Sequence, residues 1–384
     1  MSAVYRRLAE SAAGQLDATL FIKEITWNKL WAFIQGMAMA PSSLDVSEVG
    51  TTWLKSLADA DALKPIPADF IEKSRGQSWL SDAAWKSIRL ISPTTVLFWP
   101  FMLDVRMIYY WRDHLKAARI DETDAFSSIA NTRETIEKLR AGGMPGWGAT
   151  SAAGINTLYE VSSWVWATGK DYMSPDGKQT MICDADVQNA ILAYFELAGS
   201  IDRPYENYVD LVNAFKQKKV SVMMDGPWMW SDVIHSRYQQ IDLGNIGVSS
   251  PPGPPFLGGS SLVVWKCVNE SILGEVLKLL AVLTSPGPQK ALFENKGLLP
   301  VNSEVLNAEP FTSDVNLKTM ARAILRGRYL PTLPIWGHLE SSLVRIFGLV
   351  WQSLKTNGLQ MKPDLLLRHF APLAKRFDKM IEMF

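Results

Sequence analysis

Residues 220–234 read VSVMMDGPWMWSDVI, residues 246–270 read IGVSSPPGPPFLGGSSLVVWKCVNE, and residues 271–302 read SILGEVLKLLAVLTSPGPQKALFENKGLLPVN. The order of signals in this stretch decides the fold. A short apolar strand, 220–224, ends in a corner at Gly226, Pro227 and Trp228. A second strand, 246–248, runs into the cluster Pro251 to Pro255, which opens onto Gly258-Gly259-Ser260-Ser261 and a third apolar strand, 262–265. Proline and glycine at this density mark a bend or crossing in the chain. The paired glycines let another group approach the backbone closely.

Working outward, helices are predicted at 5–13, 27–39, 53–62, 125–140, 154–166, 186–198 and 208–218, with closing helices at 340–354 and 363–383. Strands are predicted at 18–25, 44–50, 95–99 and across the alternating run 103–113. The break after the second helix falls on Pro41-Ser42-Ser43, and 330–336 reads as a proline-stiffened loop. Strands alternating with helices predict parallel sheets. At 384 residues the chain suits two lobes rather than one simple core.

Four motifs in fixed order resemble the extracellular solute-binding proteins of carbohydrate ABC transporters, the maltose-binding-like family. They are the 222–228 corner VMMDGPW, the proline-rich segment leading to Gly258-Gly259-Ser260, the helix end LTSP-x-x-Q at 283–289, and the G-x-LPVN ending at 297–302. The run Asp104-Val105-Arg106 through Tyr109-Tyr110 to Asp113 is similar to the family's first crossing between lobes, and 44–50 resembles an early strand, with Leu44 where a proline is usual. The resemblance spans about residues 16–384. It implies an α/β, two-lobe periplasmic-binding-protein fold of type II, hinged, with a ligand cleft between lobes. The lobes are expected to be 1–104 plus 258–306, and 105–257 plus 307–384. Closure about a hinge suits such an architecture.

The resemblance implies a mono- or oligosaccharide as ligand, an ABC transporter permease as partner, and no cofactor or metal. Fifteen tryptophans fit that reading, because a flat ring covers the apolar face of a pyranose while polar neighbours take its hydroxyls. Trp228 follows the Gly226-Pro227 corner, and Trp336 follows Pro334 in a stiff loop; both are expected as stacking platforms. Trp53 follows the carboxyl end of a strand, where ligands bind in open α/β sheets. Of the aromatics on 154–166, Tyr159 and Trp164 are the candidates; Trp230, two residues beyond Trp228, is expected in the core. Asp104 and Arg106 are the polar candidates, since a carboxylate and a guanidinium each reach two vicinal hydroxyls. Gly226, Gly258, Gly259 and Ser260 are expected to offer backbone groups.

Other classes fit less well. Lys plus Arg equals Asp plus Glu at 39 each, so charge gives no case for nucleic acid or an anionic membrane. HExxH, GxSxG, phosphate-loop and GxGxxG motifs are absent. The histidines His114, His235, His338 and His369 are isolated, and Cys183 and Cys267 lack a CxxC partner. Cys267 is expected buried and free in its strand. A glycoside-active enzyme needs two carboxylates across a sugar bond, for which Asp104 and Glu160 can be proposed. A binding protein for a non-sugar such as glycerol phosphate would need a basic cluster, for which Arg106 alone is a candidate. No run reaches the ~20 apolar residues of a membrane span, and the start, MSAVYRRLAESAAGQLDATLF, has no apolar signal core. By resemblance the chain begins at the family's first helix, without the strand before it. The full-length form is therefore expected in the periplasm, or outside the cell on a lipid anchor. A monomer is expected, unless the incomplete sheet edge pairs two copies.

Overall fold

The computed structural model describes residues 3–16, 19–39, 44–76, 79–91, 94–151, 154–201, 204–234, 241–333, 336–361 and 363–382. Pro41 to Ser43, His235 and Pro334 lie outside them. The chain divides into two compact units. Unit 1 is Met1–Asp104 with Leu257–Ala321, and unit 2 is Val105–Phe256 with Arg322–Phe384. The last boundary comes later than the expected 306/307 because Phe311 is buried in unit 1, its ring lying 4.5 Å from that of Phe293.

The described residues form eight strands, in chain order β1 Val46–Gly50, β2 Trp99–Val105, β3 Met107–Trp111, β4 Trp147–Gly148, β5 Val222–Asp225, β6 Ile246–Ser249, β7 Leu257–Val264 and β8 Leu299–Pro300. Unit 1 holds the sheet β1-β7-β2-β8 and unit 2 the sheet β4-β5-β3-β6. The expectation of parallel sheets is corrected. The pairs β1–β7, β2–β8, β3–β5 and β3–β6 are antiparallel, and β4–β5 is parallel. Neighbouring strands come from distant passes of the chain, so helices between successive strands do not fix their relative direction. Residues 19–25, expected in a strand, have no regular structure, residue 18 of that run lies outside the described residues, and Ala3–Ala13 is a helix. Helices form at Trp27–Met39, Ile155–Ala167, Ala185–Glu196 and Glu270–Leu283, close to expectation.

In unit 1 the two C-terminal motifs of the opening stretch interlock. Gln289, 1% exposed, donates from Nε2 to the carbonyls of Phe101 (3.0 Å) and Leu283 (3.2 Å), and its Oε1 accepts from the Val301 amide (2.8 Å). Asn302 donates to the Thr284 carbonyl at 3.0 Å and caps the helix Ser303–Leu306 by accepting from the Val305 amide. Thr284 Oγ1 accepts from the Trp99 indole at 3.1 Å. Buried amides left unpaired would be costly, so the LTSP-x-x-Q and LPVN motifs serve the fold.

The glycine pair is likewise structural. Gly258, Gly259 and Ser260 lie within β7 and not in an open loop. Gly259 has φ +135°, and a Cβ there would stand 2.0 Å from the Met102 carbonyl oxygen. The group that approaches this backbone is β2. Cys267 lies just beyond the end of β7 and is exposed, against the burial expected for it, with its Sγ 3.9 Å from the Leu44 carbonyl oxygen; Cys183 is exposed too, and neither forms a disulfide.

Unit 2 builds its core around aromatic rings. Trp147 and Trp164 meet edge to face at 5.9 Å, and Trp164 meets Tyr194 at 5.2 Å. Helices Ile155–Ala167, Ala185–Glu196 and Trp336–Thr356 are major contributors to this cluster.

Candidate functional site

The site is assembled in unit 2 where β5 ends. Strand β5 is wholly buried, and its last residue is Asp225, 3% exposed. Gly226 and Pro227 then turn the chain into the helix Trp228–Ile234, so Trp228 is the first residue of a helix rather than part of a loop. The Gly226 amide is held by Asp225 Oδ1 at 2.7 Å, and its carbonyl accepts from the Tyr109 hydroxyl at 2.9 Å. A Cβ on Gly226 would stand 2.4, 2.5 and 2.6 Å from three adjacent atoms of the Trp228 six-membered ring. Near-equal distances to three neighbouring ring atoms place the glycine under the ring's face. Only a residue without a side chain allows that.

Arg106 reaches the same place from between β2 and β3. Its amide donates to the Phe256 carbonyl at 3.0 Å. Its guanidinium is 3% exposed and lies 4.6 Å from the centre of the Trp228 ring and 5.1 Å from that of Tyr159. Cations favour such positions over the negative face of a ring. Nη1 is 3.8 Å from Asp225 Oδ1. Tyr159 in turn stacks on Phe256, with centroids 3.9 Å apart and planes at 10°.

A second carboxyl joins the group. Glu160, 7% exposed, accepts from the Tyr194 hydroxyl. Burial pushes its carboxyl up to about 8, opposed by that hydrogen bond and by Arg106, and reinforced by Asp225. Tyr208 lies beside Asp225 and donates to Asp232 at 2.6 Å; burial, with both carboxylates, drives its hydroxyl far up.

Of the residues expected at the site, Arg106, Tyr159, Gly226 and Trp228 come together here. Trp228 is half-buried and Tyr159 half-buried, the latter with its ring against Phe256 and Arg106. Two of the expected platforms are corrected. Trp164 is 1% exposed amid Trp147 and Tyr194. Trp336 is 2% exposed, tilted against Tyr172 at 6.0 Å, and donates to Glu340 at 3.0 Å. Both are core residues of unit 2, as is Trp230 at 5%. In unit 1, Trp53 ends the turn Thr51–Trp53 after β1, half-exposed, its ring 5.3 Å from that of Trp31. Asp104 is half-buried near the end of β2. Gly258, Gly259 and Ser260 sit within β7.

Sequence reasoning missed Asp225 as a site residue, and named Glu160 only as an enzyme candidate. One signal was available for Asp225. A carboxylate ending an all-apolar strand is buried, and a buried charge needs a partner.

Among the described residues no group of three or more His, Cys, Asp or Glu is arranged to hold a metal ion, and no helix is long and apolar enough to cross a membrane.

An aromatic ring, a guanidinium and a carboxylate thus gather at a strand end in one of two α/β units. The family model described as "Bacterial extracellular solute-binding protein" matches residues 8–319, and the chain belongs to that family. Solved structures share the fold. One is the sugar-binding protein MalE of Xanthomonas citri (17% identity, TM-score 0.79, covering 99% of this chain and 94% of that one). Another is an ABC transporter solute-binding protein of Thermotoga lettingae bound to α-D-tagatose (14%, 0.82, 99% and 96%). A third is UgpB of Mycobacterium tuberculosis in complex with glycerophosphocholine (15%, 0.78, 99% and 96%).

Proposed function

We propose that this protein captures a mono- or oligosaccharide outside the cytoplasmic membrane and hands it to the permease of an ABC transporter, without chemical change to the ligand. The observation that carries the reading is the Trp228–Arg106–Asp225 group of unit 2. The exposed part of the half-buried indole, beyond the areas covered by Gly226 and Arg106, supplies apolar surface for sugar C–H groups, and the charged pair beside it supplies donor and acceptor for hydroxyls. Trp53 and Asp104 are the unit 1 residues retained as ligand contacts in this reading. Two of the proteins that share the fold, one binding a sugar and one described as an ABC transporter component bound to a sugar, support it. The third carries glycerophosphocholine, which keeps a phosphate ester as the second reading. On this reading the protein works in the periplasm, or on the outer face of the cytoplasmic membrane through a lipid anchor.

The test is calorimetric titration of the purified protein with glucose, maltose, maltotriose, trehalose, tagatose and ribitol, alongside sn-glycerol 3-phosphate and an amino-acid mixture. Saturable binding of at least one carbohydrate or polyol is expected. Saturable binding of an amino acid alone would overturn the reading.

A further inference from the structure

The cluster around Arg106 contains one guanidinium and two carboxyl groups, from three separate elements of unit 2. Arg106 lies between β2 and β3, Asp225 ends β5, and Glu160 stands on the helix Ile155–Ala167. All three are buried, at 3%, 3% and 7% exposure. We propose that Asp225 and Glu160 set the charge selectivity of the site, seating an uncharged polyhydroxyl group against Arg106 and excluding phosphate- and carboxylate-bearing ligands. This rests on the reading above that the ligand lies against Arg106 and Trp228.

The geometry separates the two ligand classes. Arg106 Nη1 and Asp225 Oδ1 are 3.8 Å apart, too far for a direct hydrogen bond. A hydroxyl oxygen about 2.8 Å from each atom spans that gap, accepting from the guanidinium and donating to the carboxylate. A phosphate or carboxylate oxygen accepts from Arg106 equally well, but it has no proton for Asp225 and meets its charge at close range. Attraction to the guanidinium is then largely cancelled by repulsion from the carboxylate, while the cost of removing the anion from water remains.

Glu160 adds a dependence on pH. The groups facing it are Arg106, Asp225 and the Tyr194 hydroxyl from the helix Ala185–Glu196, with Tyr208 behind Asp225. Its carboxyl is pushed up to about 8, chiefly by burial. At neutral pH it is mostly protonated, leaving one positive and one negative charge. Above about pH 8 it adds a second negative charge, and exclusion of anions becomes stronger.

The experiment compares glucose, maltose and ribitol with glucose 6-phosphate and sn-glycerol 3-phosphate, on the wild type, Asp225→Asn and Glu160→Gln, at pH 6 and pH 9. Melting curves establish that each variant is folded. The wild type should bind a neutral probe and prefer it to both phosphate esters. Asp225→Asn should shift the ratio toward the esters by about tenfold or more. Glu160→Gln should lessen the loss of ester binding between pH 6 and pH 9, the remainder coming from the second ionisation of the phosphate itself at about pH 6, and it serves alone if Asp225→Asn does not fold. Ester binding by the wild type as tight as that of any neutral probe would overturn the proposal while leaving a site at Arg106. An unchanged ratio in the folded variants would also overturn it. Binding of none of the five probes would overturn the carbohydrate reading itself.

Discussion

Replacing Trp228 with alanine separates a ligand platform from a structural corner. The ring is half-buried, lies over Gly226, and has the Arg106 guanidinium 4.6 Å from its centre. Truncation removes the surface on which a sugar would lie, a loss of ~1–3 kcal/mol by analogy with bases stacked on aromatic side chains, or about tenfold to a hundredfold in affinity. It also removes the ring partner of Arg106, about 0.5–2 kcal/mol shared between fold and site. A fully buried tryptophan would cost ~3–5 kcal/mol of stability. A ring only partly enclosed should cost less, and each kcal/mol lowers the melting temperature by about 2–4 °C in a unit of this size. The assay is a melting curve and a fluorescence titration on the same preparation. Trp164→Ala serves as the contrast, because that ring is 1% exposed in the core and should lose stability first. A large fall in melting temperature for Trp228→Ala with unchanged affinity would refute the reasoning.

Three further outcomes are expected. Gly259→Ala should destabilise unit 1 severely, because its Cβ would stand 2.0 Å from the Met102 carbonyl at a φ of +135°; a folded variant of wild-type melting temperature would show that β2 and β7 can separate at no cost. Burial raises the carboxyls of Glu48 and Glu340 to about 7 and that of Glu160 to about 8, from an ordinary 4.5. The folded state therefore holds protons that the unfolded chain releases, so this stability is complete below about pH 4.5 and is lost as pH rises through 8. The melting temperature should fall between pH 5 and pH 9, and less so in Glu160→Gln; an identical profile in the variant would contradict the assignment. Finally, maltotriose and other oligosaccharides should remain intact on prolonged incubation. Reducing ends released by the wild type and not by Asp104→Ala or Glu160→Ala would establish catalysis.

Much of the fold is legible in the sequence where a helix carries its own periodicity, as at Trp27–Met39 and Glu270–Leu283. Strands are less legible, because pairing depends on a distant partner. The apolar run at 18–25 has strand-like composition, yet residues 19–26 form no strand. The Gly258-Gly259 pair announces a close backbone approach, but not whether a ligand or β2 makes it. The same limit applies to the aromatics. Trp228, Trp164 and Trp336 look alike in sequence; packing against Trp147 and Tyr194, or against Tyr172, is what puts the last two in the core. The Gly226-Pro227-Trp228 corner was readable because a glycine and a proline constrain the backbone locally, and Arg106 because the run 104–113 resembles the family's crossing between lobes. Asp225 carried only the signal of a carboxylate ending an apolar strand, and the grouping of Asp225 and Glu160 with Arg106 was not readable, because their partners come from other segments of unit 2.

The central claim is that the Arg106–Trp228 face of unit 2 holds a sugar. A crystal structure with the tightest-binding carbohydrate from the titrations tests it most directly. The account predicts sugar ring carbons in van der Waals contact with the Trp228 indole and a sugar hydroxyl within hydrogen-bond distance of Arg106 Nη1 and Asp225 Oδ1. A sugar bound elsewhere, touching neither Trp228 nor Arg106, would contradict it.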